Sequence, residues 1–198
     1  MNYRKLSSWF ATALLPLLFY LLSILVVVYS EHFHQKEFEK LGIPQNLREL
    51  DGKILSYFAT GDEKVIEKTG LREAEKSHLA DVRKLVKDAE KIFAVLLLFW
   101  LLVFYTSNER KNALFVGSLL IISIPLILAA IPFDSLFVAF HLITFPQGGW
   151  LFPPGWVLTQ VYPVAFFRDA AISIALHGAI FGIVLMFFSK FGDENFNA

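Results

Sequence analysis

Four apolar runs, at 9–28, 92–106, 113–131 and 170–188, constrain this chain more than any other feature. A helix needs about 20 apolar residues to cross roughly 30 Å of hydrocarbon. Three runs come close to that length, and the helical pattern preceding 92–106 can extend the short one at its N-terminal end. Pro16 and Pro125 interrupt two runs, which membrane helices tolerate because neighbouring groups re-satisfy the freed backbone. Of the 198 residues, 56% are hydrophobic, and the 18 basic and 18 acidic side chains balance. The charges fall mainly between residues 31 and 91. The chain therefore reads as an all-α integral membrane protein forming a single membrane domain, 1–198. It has four transmembrane helices, a helical extracytoplasmic segment at 30–91, and an aromatic interfacial loop at 132–168. Zero net charge offers no case for nucleic-acid binding. With no cysteine, disulfides, thiolate metal ligands and a thiol nucleophile are excluded.

Orientation follows from the short flanks. Arg4 and Lys5 precede the first run, Arg110 and Lys111 lie between the second and third, and Lys190 follows the fourth, whereas 132–168 offers only Asp134 and Arg168. The positive-inside rule places both termini in the cytoplasm, and 30–91 together with 132–168 at the outer face of the membrane. A cleaved signal peptide is the competing reading of the N-terminus. The apolar run is too long for one, and no small-x-small cleavage site follows Val28.

Along the outer segments, His32 and His34 form a His-x-His pair at the expected membrane surface, with no further ligands at recognisable metal spacing. Residues 44–63 carry apolar positions at helical spacing, with the helix stopped near Gly61-Asp62. Beyond Gly70, Leu71, Ala74, His78, Val82, Leu85 and Ala89 recur at steps of three and four. No breaker separates them from the second run, so one helix is expected over 71–106, roughly 54 Å long. The 132–168 segment is crowded with Phe, Trp, Tyr, Pro and Gly, as suits a chain lying at a bilayer interface.

Three histidines interrupt apolar patterns. His78 lies on the inward stripe, with Asp81 three residues on and within reach of its ring. His141 sits among Phe, Ala, Leu and Ile, and His177 falls within the fourth run. A packed, hydrogen-bonded imidazole is the plain reading of each. Against it, His78 and His141 belong to outer segments that the topology brings to one side. An imidazole with one nitrogen held protonated presents the other as a base.

Two stretches resemble the lipoprotein intramolecular transacylase family, Lit. Glu75-Lys76-Ser77-His78-Leu79-Ala80-Asp81-Val82-Arg83 is similar to that family's Glu-x-x-His-Met-x-Asp-Val-Lys pattern. Phe133-Asp134-Ser135-Leu136-Phe137-Val138-Ala139-Phe140-His141-Leu142-Ile143-Thr144-Phe145, then Trp150, Pro163 and Phe166-Phe167, resembles its second motif. Leu79, Arg83 and Thr144 depart mildly. The family's loop after Trp carries an Asp-Pro step and a further acid, whereas here Leu151-Phe152-Pro153-Pro154-Gly155-Trp156 holds no carboxylate.

The resemblance implies an acyltransferase acting on diacylglyceryl-modified lipoproteins among membrane lipids, with no cofactor and no metal. It moves the sn-2 acyl chain to the α-amine of the lipoprotein's N-terminal cysteine, giving a lyso-form. The nucleophile belongs to the substrate. His78 and His141 would share the acid and base roles, with Asp81 orienting His78 and Arg168 and Trp150 supporting. Backbone amides of Gly148 and Gly149, or Arg168, would meet the oxyanion. The residues alone also fit another membrane lipid acyltransferase or hydrolase, or a non-catalytic scaffold with structural histidines. Direct cooperation of the two histidines on one ester requires their rings within about 10 Å.

Overall fold

The computed structural model describes residues 3–191, and all regular structure among them is helical. In order these are α1 (Tyr3–Tyr29), α2 (Glu31–Lys40), α3 (Gln45–Thr60), α4 (Lys64–Glu67), α5 (Glu73–Thr106), α6 (Arg110–Leu128), α7 (Phe133–Thr144), α8 (Val157–Val161) and α9 (Val164–Phe191). Four of them, α1, α5, α6 and α9, are long and apolar enough to cross a membrane. The architecture is thus the all-α, four-span arrangement that the hydropathy predicts. Helix α5 joins a charged first half to the apolar run without a break, because nothing from Leu71 to Thr106 is Gly or Pro.

Contacts divide the chain into two compact units. The first holds the residues up to Ile24, Glu90–Ala130 and those from Ser173 on. Its helices approach closely at glycines. A Cβ on Gly117 would lie 2.7 Å from Leu15 Cδ2, and one on Gly182 would lie 2.7 Å from Ile122 Cγ1 and 3.1 Å from the Ser118 carbonyl oxygen. Small residues at such crossings let backbones pack where lipid supplies no hydrophobic drive. Polar groups are paired across the same helices. Ser8 Oγ lies 2.8 Å from Ser107 Oγ, Trp100 Nε1 donates to the Ala11 carbonyl at 2.9 Å, and the Tyr20 hydroxyl donates to the Ile121 carbonyl. Leu98, Leu102, Ile180 and Phe188 are exposed, as side chains facing lipid must be.

The second unit holds Leu25–Ala89 and Ile131–Ile172. Its core gathers Phe38, Ile54, Tyr57, Phe58, Ile66, Leu71, Leu79, Leu158, Val161 and Phe166. Helix α3 contributes Leu50, Ile54, Tyr57 and Phe58 from one face, as their spacing predicts, and ends at Gly61. Gly61 adopts φ +77°, and its N–H returns to the Tyr57 carbonyl at 2.8 Å, a conformation that favours glycine. Arg83 reaches the same carbonyl through Nε at 3.1 Å. A guanidinium there suits the negative end of a helix.

Two expectations change here. The 132–168 segment is not loop throughout. Residues 133–144 contain neither Pro nor Gly and form α7, whereas Pro146, Gly148, Gly149, Pro153, Pro154 and Gly155 concentrate the irregular chain between Phe145 and Trp156. His34, expected at the membrane surface, is buried in this unit. Its Nδ1 lies 2.7 Å from Asp51 Oδ1 and its Nε2 lies 3.1 Å from the Val27 carbonyl, while His32 stays exposed. The Tyr162 hydroxyl donates to the same Asp51 oxygen at 2.5 Å. Burial, then the Asp51 charge, pushes the Tyr162 phenol well above its ordinary pKa.

Candidate active site

Helix α5 and helix α7 each deliver one histidine. On α5, His78 follows the buried Glu75 by three residues and so shares its inward face. On α7, His141 is 8% exposed although its neighbours Phe140 and Leu142 are half or more exposed. The one inward strip of that helix carries the imidazole. The structure brings the rings together, with centroids 6.3 Å apart and planes inclined at 28°. This is well inside the separation at which both can act on one ester.

The pair sits in an aromatic box. Phe145 and Phe152 meet His78 edge-on at 5.0 and 5.6 Å, and Phe137 and Trp150 lie 4.2 and 4.7 Å from His141. Trp156 stacks on Phe152 at 5.4 Å and carries the Arg72 guanidinium over its own ring at 4.3 Å.

Hydrogen bonding distinguishes the two rings. His141 Nδ1 lies 2.7 Å from the Phe137 carbonyl oxygen. A carbonyl only accepts, so Nδ1 carries a proton, and Nε2 is the ring nitrogen left to bind or release one. His78 has no such anchor, and its Nδ1 is buried without a hydrogen-bond partner. It lies in the polar first half of α5, outside the apolar run. Burial, and secondarily the neighbouring His141, lower its pKa to about 4, while the Asp81 charge opposes them. The ring is therefore neutral near pH 7.

The other predicted residues fall as follows. Asp81 forms no hydrogen bond with His78. Its Oδ2 accepts from Gln147 Nε2 at 3.1 Å, so it acts on His78 only through its field. Trp150 lies against His141. Gly148 and Gly149 both adopt φ +80°, but the Gly148 N–H already donates to the Phe145 carbonyl at 2.9 Å. Arg168 is exposed and pairs with Asp169 at 3.5 Å. Asp169 also accepts from Lys40 at 2.8 Å, the main reason its carboxyl lies below its usual pKa. Arg168 has no contact with either imidazole. His177 is exposed on α9, with Nδ1 3.4 Å from Ser173 Oγ.

Sequence reasoning assigned no role to Glu75, which is fully buried. Its Oε2 accepts the Arg72 N–H at 2.9 Å, and its Oε1 accepts the Leu158 N–H at 2.8 Å. One carboxylate thus caps the starts of α5 and α8 and ties the Phe152-Trp156 wall to the helix bearing His78. Its place three residues into the helix is that of a capping-box acid, but Arg72 stands where the usual Ser or Thr would signal it.

Fold and site together define a polytopic helical membrane protein with two imidazoles paired in an aromatic box. Comparison with known proteins then narrows the class. The family model described as "Lipoprotein intramolecular transacylase Lit" matches residues 9–167. Among solved structures, the lipoprotein intramolecular transacylase Lit from Bacillus cereus superposes with a TM-score of 0.83 at 20% identity, covering 95% of this chain and 94% of that one. A His-to-Arg variant of the same protein gives 0.76 at 19% identity, covering 95% and 91%. An uncharacterized protein of Aquifex aeolicus is 23% identical over 210 residues, 96% of each chain. The chain belongs to the lipoprotein intramolecular transacylase family and is an acyltransferase of the membrane.

Proposed function

We propose that this chain moves the sn-2 acyl chain of a diacylglyceryl lipoprotein to the α-amine of its N-terminal cysteine, with His141 as the base. The observation that carries this is the tethered His141 Nδ1–H, which turns the Nε2 lone pair toward use beside a second, neutral imidazole. Among the described residues no Ser or Thr hydroxyl is hydrogen-bonded to either ring, which suits a nucleophile supplied by the substrate. The amine attacks the ester carbonyl and His141 Nε2 takes its proton. The tetrahedral intermediate then collapses, the bond to the glyceryl oxygen breaks, and that oxygen recovers a proton to become the hydroxyl of the lyso-product.

His78 serves as hydrogen-bond donor to the ester. A ring whose pKa is lowered to about 4 is a poor base for an amine, so its neutral N–H is what it offers. Holding amine and ester of one molecule in attack geometry contributes an effective molarity of about 10⁵ M or more. The aromatic box limits water, which would otherwise hydrolyse the ester. The distribution of Arg4, Lys5, Arg110, Lys111 and Lys190 supports cytoplasmic termini and a site at the outer face, among the membrane lipids that carry the substrate.

Fragmentation of a lipoprotein purified from cells expressing this chain tests the reading. Transacylation keeps the lipopeptide mass and moves one acyl group into the N-terminal amide fragment. Loss of one acyl mass shows a hydrolase, and an unchanged fragment pattern contradicts catalysis.

A further inference from the structure

Gln147 lies at the tip of the irregular turn between Phe145 and Trp150. The turn is pinned at one end by Phe145, which is 3% exposed, and at the other by Trp150 on the His141 ring. Between them little holds it. Gly148 and Gly149 have left-handed backbones, no atom within 4 Å of where a Cβ would stand, and one internal hydrogen bond from the Gly148 N–H. Leu151, next along, is 80% exposed. Among the described residues, the bond from Gln147 Nε2 to Asp81 Oδ2 is the one side-chain hydrogen bond from this turn to α5. It lands one helical turn beyond His78.

We infer that Gln147 and Asp81 form a latch that seats Trp150 against His141. Gln147 is thereby a positioning residue for the reaction, and Asp81 serves the site through its acceptor oxygen rather than as a hydrogen-bond partner of His78. The inference rests on the transacylase reading of the histidine pair. The imidazole of His141 is held at Nδ1 by a single bond, about which the ring can still tilt. The indole at 4.7 Å and 36° limits that tilt, so releasing the turn broadens the direction in which the Nε2 lone pair points. Loss of the latch thus lowers the rate of the bound complex more than it weakens binding.

Exchanging donor and acceptor tests the latch on the full chain in lipid vesicles with a synthetic diacylglyceryl lipopeptide. Gln147→Glu faces Asp81 with a second carboxylate, and kcat is expected to fall roughly tenfold, the scale of one hydrogen bond to a charged group. KM and thermal stability stay near wild type. Adding Asp81→Asn to Gln147→Glu lets an amide at 81 donate to a carboxylate at 147 and restores most of kcat. Hydrogen exchange of the 148–150 amides supplies a readout independent of turnover, faster in Gln147→Glu and slowed again in the double variant. A double variant as slow as Gln147→Glu, with exchange still fast, overturns the latch. So does Asp81→Asn alone falling as far as Asp81→Ala, because the charge would then be what matters. A wild-type chain without transacylation refutes the functional reading instead, while the exchange data still decide the latch.

Discussion

Removing the charge of Glu75 while keeping its shape isolates what a single buried carboxylate contributes. Glu75→Gln retains one carbonyl oxygen, which can accept either the Arg72 or the Leu158 N–H, but not both at 2.9 and 2.8 Å as now. The amide NH₂ then faces the other N–H, donor to donor, in a site with no solvent exposure. Hydrogen bonds to charged groups contribute about 1.5–3 kcal/mol each, so the loss of one sets the expected cost. For a chain of this size each kcal/mol shifts the midpoint by about 2–4 °C, which gives a drop of roughly 3–12 °C. Glu75→Ala strands both N–H groups and leaves a void, and is expected to cost about twice as much. Thermal unfolding in detergent measures the shift, and hydrogen exchange at 157–161 locates it, since α8 loses its cap. A Glu75→Gln midpoint within 1 °C of wild type, with α8 amides equally protected, refutes the clamp.

Other perturbations separate the packing and protonation arguments. Tyr162→Phe removes a buried donor to Asp51 and should cost about 1–3 kcal/mol of unfolding free energy in denaturant titration. Gly182→Ala drives a methyl against Ile122 and the Ser118 carbonyl and should destabilise by about 1–3 kcal/mol, seen as earlier unfolding in detergent. The His78 pKa is depressed to about 4 from the ordinary imidazole value of 6.5, so the folded state binds fewer protons between those values. Its contribution is complete above pH 6.5 and lost as the pH falls toward 4. The pH dependence of stability over that window should be shallower in His78→Gln than in wild type, whereas the contribution of Asp169, also depressed, is complete above 3.8 and lost only at lower pH.

The spans, the long α5 and the end of α3 at Gly61 were readable because hydropathy and breakers are local properties of the sequence. The pairing of His78 with His141 was suggested by topology and a motif resemblance, but its 6.3 Å spacing comes from packing of distant segments. Local reading failed where long-range partners decide. His34 looks like a surface imidazole until Asp51 and Val27 close on its two nitrogens. Asp81 lies within reach of His78 by helical spacing, yet Gln147, 66 residues away, takes its carboxylate. Glu75 opens the Glu-x-x-His stretch, yet nothing near it in sequence names Leu158 as its second donor.

In the proposed reaction the Nε2 lone pair of His141 removes the proton from the attacking amine. His141→Asn addresses it directly, because an amide nitrogen near the Nδ1 position can still donate to the Phe137 carbonyl while the Nε2 base is gone. Single-turnover acyl migration in a diacylglyceryl lipopeptide, followed by the acyl group appearing in the N-terminal amide fragment, should slow by about 10²–10⁴-fold. The variant should unfold near the wild-type midpoint. Migration within threefold of wild type in a folded His141→Asn protein contradicts His141 as the base.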